Sequence, residues 1–219
     1  MSGHGTETRP AAAPPARPWV PGDSGRRAGP LTGLVRGAAD ADLALFHRVA
    51  GAHNPALDRA MPALSRAADW SRLWIGVAAL LVLSGRPAWR RAAVRGLASV
   101  ALASASANGL AKLSVRRGRP PLGAVPLVRR VRRAPVTTSF PSGHAASAAA
   151  FTVGVALEAP ELAVPVGALA AGVAVSRVWT GAHYPGDVVA GVALGTATSL
   201  ALARVGRGRR ARRGRYLRP

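Results

Sequence analysis

The 219-residue sequence predicts an all-α fold, a multi-span membrane helical bundle. Three observations carry that expectation. Five apolar segments lie near residues 72–84, 93–113, 144–159, 162–178 and 187–204. Gly, Ala and Ser are dense within them, as expected where helices pack backbone to backbone in lipid. Trp70, Trp74, Trp89 and Trp179 stand near segment ends, where an aromatic belt would form. Several segments fall short of the roughly 20 residues that cross about 30 Å of hydrocarbon, so a soluble all-α bundle is the alternative reading.

Taken in order, residues 1–37 are rich in Pro, Gly, Ala and Arg and lack the apolar core of a secretory signal peptide. They are expected to form a disordered arm. Residues 38–204 make up the expected domain. It opens with two amphipathic pieces, DADLALFHRVAG and NPALDRAMPALSRAAD, too polar to span and suited to an interface or to packing on a core. His47 and His53 fall here without partner motifs and read as structural or exposed. Between the second and third apolar segments runs VRRGRPPLGAVPLVRRVRRAPVTTSFPSG, too rich in Pro and Arg for a continuous helix and therefore a long loop. Residues 205–219 form a basic tail.

The formal charge is +21, from 30 Lys and Arg against nine Asp and Glu. Nucleic acid, an anionic membrane surface or a phosphate-bearing substrate would each suit it. No aromatic residue interleaves with the arginines of 129–133, so that stretch reads as solvated or headgroup-facing, with no nucleic-acid partner. With no cysteine there is neither a disulfide framework nor a thiolate metal site.

Placement of the polar residues is more informative than their total. Lys112, the only lysine, closes the second segment, with Asn108 one turn earlier on its face and Arg119-Pro120 just beyond. Ser142-Gly143-His144 opens the third segment, Ser176-Arg177 closes the fourth, and His183 and Asp187 open the fifth. If successive helices alternate in direction, all of these residues emerge at helix ends on one face. Three cations, two imidazoles, a carboxylate and a Gly-containing turn at a helix start form a phosphoryl-transfer site that needs no metal. Singly, each has a plainer role: Asp187 and Ser142 as N-caps, Arg177 as a complement to its helix dipole, Lys112 snorkelling to the interface.

Three stretches carry a family resemblance: Lys112 to Pro120 as K-LSVRRG-RP, Pro141 to His144 as PSGH, and Ser176 to Asp187 as SR-VWTGA-H-YPG-D. In that order and spacing the chain resembles the type 2 phosphatidic acid phosphatase superfamily over about residues 40–204. The resemblance implies a helical bundle with the active site at helix ends, hydrolysing a phosphomonoester or diphosphate through a phosphohistidine. It implies His183 as nucleophile, Asp187 as its orienting partner and His144 as general acid. Lys112, Arg119 and Arg177 would clamp the phosphate, with Ser142 and the Gly143 backbone completing the cradle, and no metal or cofactor is expected.

The expected substrate is a lipid phosphate: a polyprenyl phosphate or diphosphate, phosphatidic acid or phosphatidylglycerol phosphate. Alternatives are a vanadate-dependent haloperoxidase-like oxidase and a non-catalytic protein binding anionic lipid. Arginines in the first connection and in the tail, which is expected to meet anionic headgroups, argue for a multi-pass cell-membrane protein with its catalytic face extracytoplasmic. Five spans would leave the N-terminal arm on that outer side, so a shortened N-terminal membrane element is expected where the family usually has six spans.

Overall fold

The computed structural model describes residues 30–111, 117–130 and 138–216. Among these, seven α-helices follow in order: α1 (Pro30–Gly51), α2 (Pro55–Ala67), α3 (Arg72–Leu83), α4 (Pro87–Ser106), α5 (Gly143–Ala156), α6 (Ala163–Trp179) and α7 (Pro185–Tyr216). Proline opens α1, α2, α4 and α7, where its missing N–H is an orphan in any case and its fixed φ is already helical. Asn54 caps α2 by accepting the N–H groups of Ala56 and Leu57 at 3.0 and 3.1 Å. Two boundaries differ from expectation. Helix α1 begins at Pro30, inside the stretch assigned to the arm, and α7 carries the basic tail onward as helix to Tyr216.

Helix α5 lies at the centre, packed against α4, α6 and α7. Small residues permit that density. Gly191 and Gly195, four apart on α7, face the backbone of α5, where an added methyl group would collide with the carbonyls of Ser142 and Ala146. On the other side a methyl at Gly154 would come within 2.9 Å of the Gly96 Cα, so α4 and α5 also meet backbone to backbone. Trp74 and Phe151 fill the adjoining core with ring centroids 5.1 Å apart.

Two of the four expected belt tryptophans are therefore not anchors: Trp74 and Trp179 are buried, whereas Trp70 is 84% exposed. Among the described residues two helices are long and apolar enough to cross a membrane, Pro160–Trp179 and Pro185–Gly206. The other expected segments miss that standard because α3 has 12 residues, α5 has 14, and α4 carries Arg90, Arg91 and Arg95.

Of the loop arginines at 129–133, Arg132 and Arg133 lie outside the described residues, and Arg129 differs from expectation. Arg129 is fully buried, 2.6 Å from Asp58 Oδ1, stacked 4.5 Å from the centre of the Trp179 ring, and donating to the carbonyls of Ala50 and Ala52. Trp179 Nε1 donates to the same Asp58 oxygen at 3.0 Å. A carboxylate, the orphan carbonyls at the end of α1 and an aromatic face together satisfy a cation that water would otherwise hold. His47 is exposed as expected, and His53, largely exposed, rests 3.3 Å from Asp58.

Candidate active site

Successive helices reverse direction, so α4, α5, α6 and α7 all end or begin at the same end of the bundle. There Ser142 caps α5, its Oγ accepting the Ala145 N–H at 3.4 Å, while its own N–H donates to the Asp187 carbonyl at 2.9 Å. One hydrogen bond thus ties the start of α5 to the start of α7. At the end of α6, the N–H groups of Ala182 and His183 both return to the Arg177 carbonyl, at 3.0 and 3.1 Å. Gly181 makes that reversal at φ +69, a left-handed conformation costly for other residues. Asp187 then accepts the Tyr184 N–H at 2.9 Å, the side-chain-to-cap half of a capping box.

These turns deliver the side chains to one cavity of about 400 Å³. Arg119, Gly143, His144, Arg177 and His183 line it, with Ser142 and Asp187 buried directly behind. Seven of the eight expected site residues are therefore brought together. Lys112 lies outside the described residues, although Asn108, expected to share its face, lines the cavity. The remaining wall carries Trp70 and Ser71 from the turn before α3, with half-buried Ser104 and buried Ser147, whose hydroxyls are 3.2 Å apart.

Arg119 Nη1 is 3.3 Å from His183 Nε2 and also donates to the Ala182 carbonyl at 2.8 Å. A guanidinium only donates, so Nε2 presents its lone pair and the ring proton belongs on Nδ1. Nδ1 stands 3.7 Å from Asp187 Oδ2, aimed at the carboxylate but beyond hydrogen-bond reach. Burial above all, with the nearby Arg177 and Arg119 guanidinia, pushes the His183 imidazole down to about 4 against the opposing pull of Asp187. It is therefore neutral at pH 7, the state in which an imidazole nitrogen keeps its lone pair. Burial likewise lowers Arg119 from the ordinary arginine value.

Three acid–base contacts were not read from the sequence. Asp69 Oδ1 meets His144 Nε2 at 2.9 Å, Arg117 Nη1 meets Asp187 Oδ1 at 2.9 Å, and Arg117 Nη2 meets Asp42 Oδ2 at 2.5 Å. The signal available was scarcity: with only nine acids among 30 cations, each acid beside the bundle is a candidate partner. Among the described residues no cluster of three or more His, Asp or Glu could hold a metal ion.

The family pattern described as the PAP2 superfamily matches residues 92–211. A lipid A 1-phosphatase of Rhizobium johnstonii is 46% identical over 65 residues, which are 30% of this chain and 27% of that one. A decaprenylphosphoryl-5-phosphoribose phosphatase of Mycobacterium tuberculosis is 42% identical over 108 residues, 48% of this chain and 57% of that one. The chain thus spans about a quarter of the first relative and somewhat over half of the second. The crystal structure of a transmembrane PAP2-type phosphatidylglycerolphosphate phosphatase from Bacillus subtilis superposes with a TM-score of 0.58 at 21% identity, covering 78% of this chain and 87% of that one. The fold is therefore that of a membrane protein, and with the match running over more than half its length, the chain belongs to the PAP2 superfamily.

Proposed function

We propose that this protein is a metal-independent phosphatase of a membrane lipid phosphate, acting through a phosphohistidine on His183. The observation that carries the reading is the convergence of two imidazoles and two guanidinia on one cavity, with Arg119 beside His183 Nε2. In the first step Nε2 bonds to phosphorus as the bond to the leaving oxygen breaks, and His144 supplies that oxygen with its proton. Asp187 draws closer to the Nδ1–H as the ring becomes cationic, the orienting role of a carboxylate in a hydrolase triad. Water then attacks phosphorus and gives a proton to His144, the N–P bond breaks, and phosphate leaves.

Arg119, Arg177 and Lys112 hold the equatorial oxygens, with Ser142 and the Gly143 backbone at the start of α5 completing the cradle. The cavity is far larger than one phosphate, and its remaining wall of Trp70, Ser71, Ser104 and Ser147 offers an aromatic face and hydroxyls to whatever bears the phosphate. A sugar phosphate on a lipid carrier, as in the substrate named for the mycobacterial relative, suits that wall.

Arg86, the α4 residues Arg90, Arg91 and Arg95, and the basic far end of α7 lie at the end of the bundle opposite the cavity. That placement supports a multi-pass chain with the basic end cytoplasmic, against anionic headgroups, and the catalytic end outside.

The test is phosphate release by detergent-purified protein in EDTA, over polyprenyl phosphate and diphosphate, a polyprenyl-linked sugar phosphate, phosphatidic acid, phosphatidylglycerol phosphate and a soluble monoester. Release lost in His183→Ala and in His144→Ala is expected. Activity abolished by EDTA, or retained in His183→Ala, would overturn the mechanism.

A further inference from the structure

The motif residues leave open what fixes Asp187, the residue on which the orientation of His183 rests. Both of its oxygens are committed: Oδ2 accepts the Tyr184 N–H and Oδ1 pairs with Arg117, each at 2.9 Å. Arg117 is held in turn from two further directions, by Asp42 Oδ2 at 2.5 Å and by the Tyr184 ring, whose centre lies 4.3 Å from its guanidinium carbon. Asp42 reaches across from α1 and closes the circuit, its Oδ1 accepting the N–H of Gly186 at 2.6 Å. That N–H belongs to the first turn of α7, where no carbonyl of the helix can reach it. Phe46, one turn along α1, packs edge-on against Tyr184 with centroids 5.3 Å apart.

We propose that Arg117 and Asp42 are positioning residues, a two-part brace from the loop and from α1 that sets Asp187 and through it His183. This rests on the phosphohistidine reading above. Arg117 and Arg119 stand two residues apart in one loop yet do different work. Arg119 lines the cavity beside His183 Nε2, whereas the charge of Arg117 is spent on two carboxylates behind the site. Burial disfavours the Arg117 cation, but its bonds and charge pairing with Asp42 and Asp187 outweigh that and raise its pKa. Arg117 therefore stays charged at any working pH. It makes α1, which lies outside the family pattern, a part of the catalytic end.

The test uses full-length protein in detergent, with kcat, KM and the pH dependence of kcat/KM for Arg117→Gln, Arg117→Lys, Asp42→Asn, Arg119→Ala and His183→Ala. The groups facing His183 are Arg119, Arg177, His144 and Asp187. Among these, Asp187 alone is shared with Arg117. Arg117→Gln is expected to lower kcat about tenfold or more with KM changed less than about twofold. Its acid limb should move to higher pH, because a cation competing with His183 for Asp187 is gone. Arg117→Lys keeps the limb in place and recovers part of kcat, and Asp42→Asn lowers kcat without raising KM.

An Arg117→Gln enzyme with wild-type kcat and limb, or one changed only in KM as a phosphate clamp would be, overturns the brace. If Arg117→Gln fails to fold, Arg117→Lys and Asp42→Asn decide the matter by the same criteria. Full activity in His183→Ala would instead sink the underlying mechanism, whatever Arg117 does.

Discussion

Asp69 Oδ1 lies 2.9 Å from Nε2 of His144, joining the turn before α3 to the first turn of α5 across 75 residues of sequence. That turn is held in a costly shape, with Trp70 at φ 56 and Ser71 at φ 59, both left-handed and both lining the cavity. Strain at the mouth of a site, in residues that do not need glycine, marks a backbone fixed for what it presents. Here it presents a carboxylate to the imidazole that the proposed mechanism uses as general acid.

Asp69→Ala is accordingly expected to lower kcat by about one to two orders of magnitude while leaving KM close to wild type, since proton donation and not binding is impaired. Steady-state phosphate release measures it. A wild-type kcat in this variant would mean that His144 is oriented without Asp69.

His183 gives a stability prediction. Its imidazole titrates near 6.5 when the chain is unfolded and near 4 when folded, so between those values the unfolded chain binds the extra proton. The stabilisation is complete above pH 6.5 and is lost as pH falls toward 4, by an amount on the order of 3 kcal/mol. Thermal unfolding in detergent at pH 4.5 and 7.5 should show the decline, and His183→Gln should lessen it. Parallel curves for the two proteins would remove His183 as the cause.

Gly195 offers a packing prediction. A side chain there meets the Ala146 backbone, and overpacking of this kind costs roughly 1–3 kcal/mol. Gly195→Val should lower the melting temperature and, by forcing α7 away from α5, lower kcat as well. The comparison is Gly76→Val, where nothing stands within 4 Å.

Arg129→Ala should lower the melting temperature by roughly 5 °C or more, because it strands Asp58 and the carbonyls ending α1 inside the protein. Arg130→Ala, from the half-buried next position, is the matched control. Equal shifts in the two would show that the buried pair contributes nothing beyond the loop's general packing.

The catalytic end was legible in the sequence for a topological reason. Helices that alternate in direction bring polar residues at segment ends together, and Ser142, His144, Arg177, His183 and Asp187 do converge. What pattern reading missed lies in the amphipathic stretch. A helix with charges all round its polar face does not announce which one turns inward, and Asp42, Asp58 and Asp69 are told apart from their neighbours only by partners 75, 71 and 75 residues away. Arg129 was misread for the same reason, since its run of arginines looks uniform until one of them finds a carboxylate. Position in the sequence suggests a belt for Trp74 and Trp179, but Trp74 packs on Phe151 in the core and Trp179 is buried against Asp58 and Arg129.

The contact of Gly191 and Gly195 with the backbone of α5 bears on how this protein can vary. His144 rides on α5 and Asp187 on α7, and the gap between those two helices is set by main chain against main chain. A larger residue at either glycine would push the two helices apart and change the distance between His144 and Asp187. The outer faces of α6 and α7, where Val164, Val175, Val189 and Leu200 stand exposed, are thereby released from the chemistry. They can be rewritten to suit a thicker bilayer or a different lipid tail while the reaction at the helix ends keeps its gauge.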